Sequence, residues 1–346
     1  MPEAMNQVLV VARLPKAGPL DAGVFDVVEE TLPALADGET LVEAIYLSID
    51  AGSRAQLDPD SDYVYKVQPG DRLACSGVVA RVVESRDPGW QAGDLVVTNR
   101  AQCARYQKLQ ALPGNPIRRI ESRGEPLAAH LGIFGMVGFT AYIGMLEIAR
   151  PTPGDTVLVS AAAGATGSIA GQFAKIAGSR VVGIAGGAKK CKLVVEEFGF
   201  DDCIDYKAGD IRQMIATACP DGVDVYYENV GGEIQKAAFE AMNDFGRVAM
   251  CGQIGQYSGG GAEPGPNLMG VVLKRLKVQG FLCRDHESRY DEFLENAVNW
   301  YLEGRLKHHA TVTEGIGNFY EAINSLTSGR NIGKQLCQVG SLLSSQ

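Results

Sequence analysis

Clustered metal ligands are missing from this 346-residue sequence: its eight cysteines stand singly at positions 75, 103, 191, 203, 219, 251, 283 and 337, and only four histidines occur (His130, His286, His308 and His309). Structural zinc needs closely spaced Cys or His, and catalytic zinc about three converging ligands, so a bound metal is not expected. In a chain this long the same scatter reads as reduced, mostly buried thiols rather than a disulfide framework. Long apolar runs are also absent, none approaching the roughly 18 residues that span a bilayer. Met1-Pro2-Glu3-Ala4 opens with an acid where a signal peptide needs basic residues, and Ser344-Ser345-Gln346 is no peroxisomal signal. A cytoplasmic location is the expectation. Basic residues are outnumbered, 32 Lys and Arg against 41 Asp and Glu, for a net charge of −9. That field repels nucleic-acid phosphates and anionic lipid, which argues against both as partners.

What is present describes a folded chain, with 46% hydrophobic and 21% charged residues, and a length that favours two domains of about 100–200 residues each. Residues 1–125 hold short β-type runs (Gln7–Ala12, Thr40–Tyr46, Leu73–Val83, Asp94–Val97) separated by turns such as Gly70-Asp71 and Ala92-Gly93-Asp94. They suggest a small barrel or sandwich. Over 126–304 the texture becomes apolar strands alternating with helical stretches, the pattern of βαβ units on a parallel sheet. Strands are expected at Thr156–Ser160, Arg180–Ile184, Cys203–Asp205, Val223–Tyr227, Arg247–Met250 and Lys277–Phe281, and helices over Ser168–Gly178, from near Asn267, and over His286–Glu303. A last strand, Gln335–Val339, resembles the opening domain, so the segment 305–346 is expected to return to it.

Directly after the first of these strands comes Ala161-Ala162-Ala163-Gly164-Ala165-Thr166-Gly167. In the G-x-G-x-x-G frame this is Ala162-x-Gly164-x-x-Gly167, with Ala162 small enough for the first role. The requirement is a tight turn, a backbone open to a pyrophosphate, and close helix-to-strand contact. Its place between strand and helix favours dinucleotide binding over a merely structural turn. NAD sites carry Asp or Glu about 20 residues further on to hold the ribose 2′-OH; here the chain reads Gly186-Gly187-Ala188-Lys189-Lys190-Cys191-Lys192. Lysines in place of the acid point to NADP, the alternative being solvated lysines on a first helical turn.

The sequence resembles the medium-chain dehydrogenase/reductase superfamily, in its zinc-free branch of NADPH-dependent alkenal and double-bond reductases. The likeness runs through Tyr46-Leu47-Ser48-Ile49-Asp50, Gly135 to Tyr142, Ala161 to Gly167, Gly183 to Cys191, Tyr227-Glu228-Asn229-Val230-Gly231-Gly232 and Gly329 to Lys334. It implies a Rossmann-type doubly wound parallel sheet plus a GroES-like β-rich catalytic domain, a homodimer, and NADPH as cofactor. It further implies that Gly164, Ala165, Thr166 and Gly167 hold the pyrophosphate, Lys190 the 2′-phosphate and Tyr206 the adenosine end. Asn229 would line the cofactor cleft, and the Cys251 to Tyr257 loop, Phe281, Leu282, Cys283 and Asn331 the nicotinamide side. Tyr257 is the implied catalytic residue, as a hydroxyl donor near the nicotinamide ribose. For Tyr206 and Tyr257 the alternative is plain packing. The chain departs from the family at Asp50-Ala51-Gly52-Ser53-Arg54, where Gly52 replaces a pocket tyrosine, and at Val137, where proline is usual; Tyr63 or Tyr65 could supply a replacement hydroxyl. The implied reaction is hydride addition to the β-carbon of an α,β-unsaturated ketone or aldehyde. A quinone reductase on the same fold and a non-catalytic NADPH-binding protein are the alternatives.

Overall fold

The computed structural model describes residues 5–61, 65–110, 116–257 (Gln256 without its side chain) and 264–342. The chain divides into two units. One takes the described residues of Gly132–Gln256 and Gly260–His309; the other takes those of Met1–Leu131 and Ala310–Gln346, with Tyr257.

The first unit is built on six parallel strands, β1 (Thr156–Val159), β2 (Arg180–Ala185), β3 (Asp202–Asp205), β4 (Val223–Glu228), β5 (Met242–Met250) and β6 (Lys277–Gly280). Their spatial order is β3-β2-β1-β4-β5-β6. The direction of winding reverses beside β1, and the carboxyl ends of strands at such a reversal are where α/β sheets bind ligands. β1, β2 and β4 are almost continuously buried, as parallel strands covered on both faces must be. The helices are α1 (Met136–Tyr142), α2 (Ala165–Ile176), α3 (Ala188–Glu196), α4 (Ile211–Ala218), α5 (Gly232–Ala241) and α6 (Tyr290–Leu302). Beyond α1 the chain widens to π-helical spacing over Ile143–Ala149. Phe139, Phe173 and Phe293 are wholly buried, and Phe293 meets Phe139 and Tyr142 in ring contacts at 5.4 and 5.5 Å. Each such side chain contributes about 2–3 kcal/mol of apolar burial.

Several elements of this unit differ from the sequence expectation, among them α6, which starts at Tyr290 rather than His286. Helix α2 starts at Ala165 rather than Ser168, because Gly164 closes its first turn, its carbonyl accepting from Ser168 N at 3.0 Å. Strand β5 begins at Met242 rather than Arg247; its first half contains Phe245 at φ 61 and a register irregularity against β4, which breaks the apolar alternation. The helix near Asn267 is a single short piece, Met269–Leu273.

In the β-rich unit the main sheet runs in the order Ala310–Glu314, Lys334–Gln338, Thr40–Ile49, Val78–Ser85, Leu95–Thr98, Arg118–Arg119, with Tyr106–Leu109 also on Thr40–Ile49. The expected run Leu73–Val83 is two strands, Ala74–Cys75 and Val78–Ser85. They part at Gly77, where a Cβ would press on Thr98 O at 3.0 Å, and whose carbonyl accepts from Ser48 N at 2.9 Å. Leu47, Ile49, Val78 and Leu73 pack with Phe319, Ile323 and Cys337 in one core, so the closing segment is integral to this unit.

Candidate functional site

Between β1 and α2 the backbone makes its tight turn at Ala161, which takes a left-handed φ of 50 at a cost of roughly 1–2 kcal/mol for a residue with a Cβ. The sequence frame placed that role on Ala162. Ala162 instead is fully buried, its Cβ 2.7 Å from where a Cβ on Gly183 would stand, and it locks the turn to β2 through Ala162 N to Ile184 O, 2.9 Å. A Cβ on Gly167 would lie 2.9 Å from Ala161 C and 3.1 Å from Ser160 O; only glycine lets the helix sit this close to the loop. The N–H groups of Ala165, Thr166 and Gly167 lie in the first turn of α2, where no intrahelical acceptor exists, and the helix dipole adds positive potential. Such a turn could hold a pyrophosphate.

At the end of β2, Lys190 sits half-buried in the first turn of α3, and Tyr206 follows β3. An acid does stand nearby: Asp205 pairs with Ala185 across β2 and β3. Its Oδ1, however, accepts from Gly187 N at 2.7 Å and Lys207 N at 3.0 Å, so that oxygen ties two turns together. A sequence scan confined to the end of β2 misses this acid because it belongs to the neighbouring strand.

At the carboxyl ends of β1 and β4, Asn229 Nδ2 donates to Ser160 O at 2.7 Å, and its own N–H to Ser160 Oγ at 2.8 Å. Wholly buried Glu228 organises the turn: its Oε1 accepts from Val230 N at 2.6 Å, Gly231 N at 3.1 Å and Ser160 Oγ at 3.1 Å. The Cys251 loop is clamped to the same turn, Cys251 N to Glu228 O at 3.0 Å and Ile254 N to Asn229 O at 2.9 Å. Glu228 and Ser160 were not singled out from sequence, although Glu228 lies inside the Tyr227 to Gly232 motif. Glu228→Ala removes the acceptor of three donors, and a buried donor left unsatisfied costs about 1–3 kcal/mol. Chemical denaturation should therefore show a loss of about 3 kcal/mol or more, whereas Glu228→Gln, which keeps an acceptor oxygen, should lose about 1 kcal/mol. Equal losses would separate the carboxylate from this role.

Phe281, Cys283 and Cys251 gather around Tyr227 and the π-helical segment. A Cβ on Gly144 would lie 2.7 Å from both Tyr227 Cε2 and Tyr227 Oη and closer still to Phe281 Cζ, so Gly144 makes room for both rings. The Tyr227 hydroxyl donates to Thr140 O at 3.2 Å. Burial pushes the Cys251 thiol up to about 12 and raises Cys283 and the Tyr227 hydroxyl; all three are neutral at neutral pH. Leu282 is exposed.

Tyr257 and Asn331 belong to the β-rich unit. Tyr257 is half-buried; Asn331 is buried, with Nδ2 donating to Gly333 O at 2.9 Å. In that unit Lys334, 2% exposed, donates to Ile49 O at 2.9 Å and pairs with Asp50, which also accepts from Ser48 Oγ at 2.7 Å and from Ser76 Oγ. Burial alone would raise the Asp50 carboxyl, but the Lys334 ammonium and these hydrogen bonds hold it below its ordinary value. They fix the turn leading into the short helix Gly52–Ala55. Tyr65 accepts from Arg100 Nη2 at 2.8 Å; Tyr63 lies outside the described residues.

Residues 8–112 match the N-terminal domain of oxidoreductases, and residues 165–299 match a domain described as zinc-binding dehydrogenase. Among the described residues no group of three or more His, Cys, Asp or Glu could hold a metal ion, so the side chains present do not fit the zinc in that description. The chain is 35% identical over 340 residues to the NADPH-dependent curcumin reductase of Escherichia coli, covering 96% of this chain and 97% of that one. It is 38% identical over 303 residues to the NADP-dependent 2-alkenal reductase of Nicotiana tabacum, covering 87% of each. Crystal structures of CurA from Vibrio vulnificus, one of them in complex with NADPH, superpose with a TM-score of 0.89 at 34% identity, covering 97% of this chain and 99% and 100% of those chains. Two domain matches and likeness over nearly the whole length lead to one assignment: the chain belongs to the medium-chain dehydrogenase/reductase superfamily, in its zinc-free branch of NADP-dependent double-bond reductases.

Proposed function

We propose that this protein reduces the C=C bond of α,β-unsaturated ketones and aldehydes at the expense of NADPH. The observation that carries the reading is the Gly164 to Gly167 loop after β1, with Lys190 after the adjacent strand β2, on a chain whose full-length relatives are named for reducing curcumin and 2-alkenals. The N–H groups of residues 165–167 hold the pyrophosphate, Lys190 the 2′-phosphate and Tyr206 the adenosine; Asn229, Cys251, Phe281, Leu282, Cys283 and Asn331 line the nicotinamide side. When bound, NADPH supplies the hydride that adds to the substrate β-carbon. The Tyr257 hydroxyl donates to the carbonyl oxygen as enolate charge develops, and the α-carbon then takes a proton from solvent. Thiolates, not thiols, add to enones, and the raised Cys251 and Cys283 thiols are thereby compatible with electrophilic substrates. NADPH oxidation against a panel of enones, enals and quinones, with product identification, tests the reading. A saturated carbonyl compound is the expected product; an allylic alcohol, or turnover of quinones alone, would overturn it.

Cofactor choice follows from the same residues. NADPH should exceed NADH by at least about tenfold in kcat/KM, some 1.4 kcal/mol of transition-state binding, and Lys190→Ala should erode the difference through KM. Equal use of both cofactors by the wild type would defeat the assignment.

Among the described residues no helix is long and apolar enough to cross a membrane. The location proposed is the cytoplasm, and the chain's net charge of −9 disfavours nucleic acid as a partner. A homodimer is proposed through β6, whose four residues are all exposed and whose neighbours Leu268, Met269, Val272 and Leu273 stand more than half exposed. Among the described residues no strand pairs with its outer edge, and an exposed strand edge preceded by exposed apolar side chains invites a second strand. Light scattering should give twice the chain mass for wild type and the monomer mass for a Leu273→Glu, Val278→Lys variant; a monomeric wild type removes the dimer.

A further inference from the structure

Lys207 stands at the adenosine end with no role yet given to it, and its surroundings supply one. Gly186 leaves the end of β2 bare: a Cβ there would lie 2.9 Å from Tyr206 Cε1 and 3.0 Å from both Tyr206 Oη and Lys207 Cε. The tyrosine and the lysine thus converge on the place where NAD enzymes carry their ribose carboxylate. Lys207 Nζ lies 5.8 Å from the centroid of the Tyr206 ring, within cation–π range. Its backbone is fixed, since Asp205 Oδ1 accepts from both Lys207 N and Gly187 N and so joins the turn after β3 to the turn that starts α3. From α3 comes Lys190, in a first turn without any acid. Burial holds the Lys190 ammonium below its ordinary value, and the charge of Lys207 acts in the same direction. Two ammoniums that feel one another, one of them in the first turn of a helix, repel, and the repulsion is relieved by an anion bound between the charges. A phosphate monoester, with a charge near −2 at neutral pH, matches two cations better than one.

We propose that Lys207 is a second specificity-determining residue for the cofactor, sharing the adenosine 2′-phosphate with Lys190. The proposal deepens the NADPH reading and rests on it. A solvated lysine would be indifferent to that phosphate, which calorimetry reads directly.

The probes are adenosine 2′,5′-bisphosphate and 5′-ADP, titrated into the wild type and into Lys207→Met, Lys207→Arg and Lys190→Met. The wild type should bind the 2′,5′-bisphosphate at least about tenfold tighter than 5′-ADP, and Lys207→Met should lose about five- to tenfold for the bisphosphate alone, as expected for one charge-assisted contact. Lys207→Arg should restore most of that loss. In kinetics, Lys207→Met should raise KM for NADPH by a similar factor while kcat and KM for NADH hold. Wild-type affinity for the bisphosphate in Lys207→Met, with Lys190→Met weakened, would overturn the role of Lys207 and leave the cofactor assignment standing. Equal weakening toward both nucleotides would mark Lys207 as structural and overturn it too. A wild type that does not distinguish the nucleotides would defeat the NADP assignment together with Lys207.

Discussion

Tyr257→Phe should lower kcat for an enone by about 10²–10³-fold, the usual consequence of removing one donor from a developing oxyanion, or by roughly tenfold if a cofactor ribose hydroxyl shares the charge. The phenyl ring keeps the packing of the half-buried tyrosine, so NADPH affinity should change much less. Position 52 sharpens the expectation. Gly52 contributes no hydroxyl where a pocket tyrosine is the family's pattern, and the hydroxyl of Tyr65 is already engaged by Arg100 at 2.8 Å. With fewer donors to substitute for it, Tyr257 should sit toward the upper end of the range. The measurement is single-turnover reduction at saturating NADPH, with the product confirmed as the saturated carbonyl compound. Wild-type rates would take Tyr257 out of the mechanism, and a large loss of NADPH affinity with unchanged kcat would make it a cofactor-binding residue only.

The parts of the fold that were legible in the sequence share one physical property: their burial is expressed in local pattern. β1, β2 and β4 are largely buried and therefore read as mostly apolar runs, and Gly167 in the loop after β1 announces a close approach that a side chain cannot tolerate. What was illegible depends on contacts distant in sequence. Nothing near Leu73 to Val83 shows that Gly77 must break the strand, because the obstructing carbonyl belongs to Thr98. The left-handed turn falls on Ala161 rather than Ala162 because Ala162 fills the space above Gly183, one strand away. Asp205 and Lys207 reach the end of β2 from β3, and Glu228 draws its three donors from two separate segments. In the candidate site, then, residue types and spacing indicated the cofactor, while the acceptors that hold the loops in place emerged only from the fold.

The proposed pyrophosphate cradle can be tested by comparing its two glycines. At Gly167 an added methyl meets backbone atoms, with Ala161 C at 2.9 Å and the Ala161 carbonyl oxygen nearer still. Helix α2 cannot retreat, since Ile169, Ala170, Phe173 and Ala174 are buried along it, so the loop must move and carry the first-turn N–H groups out of register. Gly167→Ala should raise KM for NADPH by about 10–100-fold and lower stability by about 1–3 kcal/mol, as overpacking of a tight contact does. At Gly164 the backbone has φ −83 and ψ 174, open to any residue, and the nearest atom to an added Cβ is Ala161 O at 3.2 Å. Gly164→Ala should therefore fold normally and weaken NADPH by less than about tenfold, the methyl crowding the pyrophosphate rather than the protein. Titration of NADPH into both variants, with thermal melts of the apo proteins, separates the two effects. If Gly167→Ala binds NADPH as the wild type does, helix α2 does not present its first turn to the cofactor, and the N–H groups of residues 165–167 lose their assignment.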